Sequence, residues 1–225
     1  MKLNNKRTIL VGLAFLSICA FWQMYDSIVP LILTKTFHMN ETFSGAIMAA
    51  DNILALFLLP FFGSVSDKSH SKLGKRMPFI LFGTGCAIIL MNILPLLDNS
   101  YAAQPSGFKT ASFVIVLGLL LVAMGTYRAP AVALMPDVTP KPLRSRANAI
   151  INLMGAVGGI LYLGVAAVLY PNSKTAGLDH VNYQPLFIVV SAIMFVAVAV
   201  LFLTIREPKL TAENQALEKQ HPEWN

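Results

Sequence analysis

Charge is what this sequence has least of. Asp, Glu, Lys and Arg make up 12% of its 225 residues, against roughly a quarter in an ordinary soluble domain. That scarcity excludes a soluble fold with a solvated surface. Cysteine is also scarce: Cys19 and Cys86 both fall inside apolar stretches, where a thiol serves as a small hydrophobe, so no disulfide framework or redox centre is expected. His38, His70, His180 and His221 all lie outside those stretches, with no metal-ligand spacing and no activated-nucleophile pattern. An enzyme, a metal site and a bound cofactor are therefore not expected.

What the chain has instead is apolar length. Hydrophobic residues are 56% of the total and gather in six blocks, 8–34, 42–66, 77–97, 111–136, 148–170 and 185–205, each long enough as a helix to cross ~30 Å of hydrocarbon. Lipid-exposed strands would leave backbone groups unsatisfied, so the blocks read as helices and the fold as an all-α membrane protein. The first block follows a basic head and mimics a secretory signal. It runs for 27 residues and carries Trp22, Gln23, Tyr25 and Asp26 near its far end, so it reads as a retained helix rather than a signal core of roughly 7–15 residues. A bundle over 1–206 and a polar tail or linker start over 207–225 account for the whole chain.

The net charge of +6 raises the possibility of a nucleic-acid partner, but the positions of the cations argue against it. Lys2, Lys6, Arg7, Lys68, Lys72, Lys75, Arg76, Lys141, Arg144, Arg146, Arg206, Lys209 and Lys219 all fall on one side of the six crossings; Lys35, Lys109 and Lys174 fall on the other. By the positive-inside rule both termini are cytoplasmic, in a multi-pass protein of the cell membrane.

Three ionisable residues lie within the blocks: Asp26, Asp51 and Arg128. A charge at membrane depth costs several kcal/mol unless paired or hydrated, so each is a candidate site residue. Counted from segment midpoints at ~1.5 Å per residue, the two acids are level with each other toward the outside and Arg128 lies toward the inside. Two carboxylates in low dielectric suit a proton carrier or a cation site; hydrogen bonding between helices is the plainer alternative. Trp22, Gln23, Tyr25, Asn52, Tyr127, Arg128 and Asn152 offer the amide, charged and aromatic groups that a small polar solute needs, although Trp22 and Tyr25 also suit an interfacial anchor. Gly155, Gly158 and Gly159 read as a close-packing face. Tyr25-Asp26 ahead of Pro30 and Tyr127-Arg128 ahead of Pro130 hint that helices one and four are equivalent in a three-plus-three inverted repeat.

The stretch between blocks two and three, Gly63-Ser64-Val65-Ser66-Asp67-Lys68 through Gly74-Lys75-Arg76-Met77-Pro78-Phe79, is more specific than a basic turn. It resembles the signature loop of the major facilitator superfamily, and in spacing that of the glycoside-pentoside-hexuronide cation symporters and the sucrose/proton symporters. Pro136-Asp137 and Arg144-Ser145-Arg146-Ala147-Asn148-Ala149 are similar to stretches of the same families. The resemblance implies one six-helix half of a secondary transporter that carries a small polar solute, a sugar or glycoside, by alternating access. It also implies a C-terminal half or a second copy as partner. Within the loop, Gly63 would allow close helix approach and Asp67 would accept bonds from an arginine or a helix N-terminus. Gly63, Asp67, Gly74, Lys75 and Arg76 thus form a candidate conformational latch, with Arg144 and Arg146 as local partners. The positions where melibiose-type sodium symporters carry two aspartates are Ala55 and Leu59 here, so proton coupling through Asp26 or Asp51 is expected. A non-transporting six-helix interaction or assembly protein is the alternative.

Overall fold

A computed structural model describes residues 3–178 and 180–224; Lys2, counted above among the inner cations, and Asp179 of the outer stretch at 171–184 lie outside the described residues. The first helix, α1 (Asn5–Leu31), is capped by Asn4, whose side chain accepts from the Arg7 backbone N–H at 3.0 Å, and continues into a π-helical turn over Ile32–Thr36 just after Pro30. A proline N–H is missing from the ladder, which favours such a local change of pitch. Asn40 caps α2 (Glu41–Asp67) in the same way. The remaining elements are α3 (Met77–Ala103), α4 (Gly107–Val138), α5 (Arg144–Leu169), the short α6 (Asn172–Thr175), α7 (Gln184–Thr204) and α8 (Glu207–Gln220). No β-strand occurs among the described residues. Six of these helices, α1 to α5 and α7, are long and apolar enough to cross a membrane.

Their packing has an internal symmetry. α1 lies against α5 and α7, α4 lies against α2 and α3, and α3 meets α7. Exchanging α1 with α4, α2 with α5 and α3 with α7 returns the same set of pairs, as a three-plus-three repeat requires. Tyr25 and Tyr127, which suggested the repeat, are both fully buried, and each lies 20 residues beyond the first residue of its helix. Because successive crossings run in opposite directions, equal positions along α1 and α4 fall at opposite depths.

Small residues set the closest approaches. A Cβ on Gly158 of α5 would strike the Leu16 carbonyl of α1, and one on Gly12 would come within 2.7 Å of Met154 Cγ. On the other side of the bundle a Cβ on Gly83 of α3 would sit 2.7 Å from the Tyr127 backbone N of α4. In lipid no hydrophobic force separates core from surface, so van der Waals contact of this kind, with interhelical hydrogen bonds, holds the pairs together. Tyr127 supplies such bonds: its hydroxyl donates to the Ala14 carbonyl at 3.0 Å and is hydrogen-bonded to Ser17 Oγ. α2 stands apart. Among its residues only Ser44 and Ser66 are buried.

The region after residue 206, expected as a polar tail, is helical. α8 packs under α4, with Asn214 Nδ2 donating to the Asp137 carbonyl at 3.1 Å and Glu218 paired with Arg144 at 2.9 Å.

Candidate functional site

Two groups of candidate residues have different fates. At membrane depth, α1, α2 and α4 bound a cleft lined by Trp22, Asp51, Leu54, Ala55, Leu58, Leu59, Leu121, Gly125 and Arg128. The Arg128 guanidinium carbon lies 5.6 Å from the centre of the Trp22 ring, a cation–π distance. Asn52 Nδ2 donates to Asp51 Oδ1 at 2.8 Å, fixing that carboxylate's orientation. Trp22 packs edge-on against Tyr25 with ring centres 5.3 Å apart. The Trp22 indole N–H and the Tyr25 hydroxyl are buried and have no hydrogen-bond partner among the described residues.

The level count separated Arg128 from the acids, yet Arg128 and Asp51 share this cleft, because α2 and α4 pack together and a side chain of either reaches about a turn along its axis. No Asp26–Arg128 ion pair forms among the described residues. Asp26 and Gln23 are exposed on α1, and Asn152 is exposed on α5. The charges of Asp26 and Asp51 both act on the Tyr25 phenol, and that of Asp51 also acts on Asp26. Tyr127 does not offer a ring to a solute here. It is fully buried and bonded to α1, so in this conformation it is a packing residue.

The cleft is also small. Its volume is about 20 Å³, room for about one water, whereas small-molecule pockets run to roughly 300–1,000 Å³.

The loop between α2 and α3 is built around two buried charges. Arg76, 5% exposed, sends Nη2 to Asp67, Nε to Asp137 Oδ2 at 2.8 Å, and Nη1 to Ser66 Oγ and the Gly63 carbonyl. Burial alone would lower the Arg76 pKa, but the hydrogen bonds and charges of Asp137 and Asp67 more than offset it, and the pKa is raised. Glu207, 2% exposed, turns its carboxylate onto the start of α3 and accepts from the backbone N–H groups of Lys75 at 2.7 Å, Arg76 at 2.9 Å and Met77 at 2.8 Å. These are the unpaired donors of a helix N-terminus, where a carboxylate is doubly favoured. Gly74 makes room for it, with φ at +112° and no space for a Cβ beside the Glu207 carboxyl.

The geometry corrects the partner of Asp67 and details the rest of the loop. The arginine that meets Asp67 is Arg76 from its own loop; Arg144 pairs with Glu218 and the Thr139 carbonyl, and Arg146 is exposed. No helix among the described residues packs on Gly63, where an added Cβ would meet nothing within 4 Å; with α2 packed mainly on α4, that side of it is open. Lys75 contributes its backbone N–H while its side chain is exposed. The sequence reading missed Glu207 and Ser66, and no local pattern marks an acid that acts on a helix start 131 residues away.

The family model described as Major Facilitator Superfamily matches residues 11–224. Similar curated proteins include a sucrose transport protein of Arabidopsis thaliana, 35% identical over 158 residues that make up 65% of this chain and 26% of that protein. Another is a sucrose transport protein of Oryza sativa subsp. indica, 36% identical over 154 residues, 62% of this chain and 30% of that one. Solute carrier family 45 member 3 of Homo sapiens is 25% identical over 186 residues, 81% of this chain and 34% of that protein. The matched stretches thus amount to between a quarter and about a third of these relatives' lengths. A match over nearly the whole chain, six membrane-length helices and a symmetric three-plus-three packing agree: the chain belongs to the Major Facilitator Superfamily.

Proposed function

We propose that this chain is one half of a secondary transporter that moves a small polar solute of the sugar class across the cell membrane, with both termini cytoplasmic. The observation that carries the proposal is the Trp22–Asp51–Arg128 cleft, in which an aromatic plane, a carboxylate and a guanidinium converge at membrane depth. Charges are retained at that depth for a function. The similarity to proteins named for sucrose transport supports the solute class.

The cleft is too small for a sugar, so the remaining walls come from elsewhere: a C-terminal half, or a second copy. The open face of α2, with Ile53, Leu56, Phe57 and Phe61 between 57% and 71% exposed, supports such a partner. Residues 1–206 then form the bundle and 207–225 the start of a cytoplasmic linker. Asp26 or Asp51 carries the coupling proton, and Gln23, Tyr25, Asn52, Arg128 and Asn152 hold the solute with Trp22. The cluster of Asp67, Arg76 and Asp137, with Glu207 behind it, is the latch that holds one conformation of the two halves. The split of the cations between the two ends of the bundle supports the orientation.

The test is uptake by proteoliposomes holding this chain alone and with a candidate second half. Sucrose uptake driven by a pH gradient is expected only for the pair, and Asp51→Asn is expected to abolish it while sparing solute exchange, which needs no net proton movement. Uptake stimulated by sodium at constant pH, or full pH-driven uptake in the Asp26→Asn/Asp51→Asn variant, overturns the coupling. Failure of every pairing to move sucrose overturns the transport reading.

A further inference from the structure

A second charged cavity lies far from the cleft, at the end of the bundle where α1 begins and α7 ends. It has about 430 Å³ and is lined by Lys6, Arg7, Arg206 and Lys209, with Glu213 the one acid among its lining residues. Glu213 lies 3.9 Å from Lys209 Nζ. Lys6, Arg7 and Arg206 have no ion pair among the described residues. The first turn of α1 adds no acid to balance them, and the positive end of that helix's dipole points the same way. Three unpaired cations around a cavity exceed what one carboxylate neutralises.

The same seam continues into the membrane as an apolar groove of about 450 Å³, bounded by Leu13 and Leu16 of α1 and by Ile188, Ala192, Val196 and Val200 of α7. Leu10 and Thr204 line the cavity, and each is within four residues of the groove, about one helical turn. From Val200 to Ile188 the groove runs ~18 Å at ~1.5 Å per residue, close to the ~15 Å hydrocarbon depth of one leaflet. A cationic head and an apolar track of one-leaflet length, joined end to end, are complementary to one kind of molecule.

We propose that the seam between α1 and α7 is a binding site for an anionic phospholipid, with its headgroup phosphate among Lys6, Arg7, Arg206 and Lys209 and one acyl chain along the groove. Cationic pockets between membrane helices recognise such headgroups in general. Arg7 and Arg206 supply planar donor pairs suited to two phosphate oxygens. The site joins the first and last crossings of the bundle to the foot of α8, so an occupied site ties the polar C-terminal helix to the membrane face.

Native mass spectrometry of the chain in detergent, with equal phosphatidylglycerol and phosphatidylcholine of matched acyl chains, tests this. Phosphatidylglycerol is expected to be retained preferentially. Arg7→Gln/Arg206→Gln is expected to weaken its retention by on the order of tenfold or more, at about 1 kcal/mol for each cation beside an anionic lipid. Lys68→Gln/Lys219→Gln removes the same charge elsewhere and is expected to leave retention unchanged. Ala192→Trp, at an exposed position that fills the groove, is expected to reduce it. Glycerol phosphate, a headgroup without chains, is expected not to compete. Equal retention of the two lipids, an equal loss in the Lys68/Lys219 variant, no loss in Ala192→Trp, or competition by glycerol phosphate overturns the proposal; the last outcome identifies a free-anion site.

Discussion

The first two membrane-length helices have almost the same mean hydropathy over their most apolar stretch, 1.7 and 1.8, yet 61% of that stretch is buried in α1 and none of it in α2. Hydrophobicity therefore does not decide which helix is central. In water the two would compete for the core, but lipid solvates either equally well and the choice passes to shape and hydrogen bonds. α1 is central because Gly12, Gly155 and Gly158 let α5 reach it and because Tyr127 of α4 bonds to Ala14 and Ser17. α2 leans on α4 along one side, with Leu58 and Phe62 beside Gly125 at 3.3 and 3.8 Å from a Cβ added there, and is held at its last turn by the arginine cluster.

The contrast is sharpest at glycine. Gly158→Val presses a side chain onto the Leu16 backbone, which cannot move without displacing α1, and a loss of about 3 kcal/mol or more is expected. Gly45→Ala on α2, where nothing lies within 4 Å, is expected to be neutral or to stabilise by up to ~1 kcal/mol through helix propensity. Thermal midpoints in detergent check both, and equal effects would break the comparison.

The next largest effect is expected at the foot of α2. Arg76→Gln removes the side chain that joins α2, α4 and the loop, leaving Asp67 and Asp137 without their cation. Since those carboxylates are 60% and 29% exposed, water compensates in part and ~1–3 kcal/mol is the expected cost. Arg76→Lys should not restore it, because one ammonium does not span two carboxylates and a hydroxyl. Hydrogen exchange over residues 60–67 should rise while that of α1 stays low; a rise spread evenly over both helices would mean that the cluster supports the whole bundle.

Tyr127→Phe keeps the ring and removes the hydroxyl that reaches α1. A loss of about 1 kcal/mol is expected, and Ser17→Ala combined with it should cost less than the sum of the two. Full additivity would show that the two hydroxyls act separately. The smallest effect is expected on the open face of α2: Leu56→Ala, at 71% exposure, should shift the midpoint of the chain alone by less than ~0.5 kcal/mol, and should weaken assembly with a second half. A large loss in the chain alone would mean that α2 is already covered.

The same contrast marks how far a sequence can be read. Six membrane-length segments and their helical state were legible because each rests on a one-dimensional quantity, the length of an apolar run. Asp51 and Arg128 stood out as candidates because a charge at membrane depth is costly wherever it faces, Trp22 only as an aromatic plane that could equally be an anchor, and the loop stood out through its spacing. Tyr127 was misread because whether a tyrosine near a kink faces a cavity or a neighbour depends on its rotation about the helix axis. Arg144 and Arg146 were misplaced as partners of Asp67 because the nearest cation in space was set by the fold of the turn over 68–76. Glu207 was missed because it acts on backbone N–H groups, which carry no residue identity. What the sequence alone determined is therefore the membrane, the helices and the inventory of groups that must be satisfied within it, since the bilayer charges for every unpaired polar atom. What only the tertiary structure decided is which apolar helix became the core and which charge met which, since lipid is indifferent between apolar faces and only backbone approach at glycine and directed hydrogen bonds tell them apart.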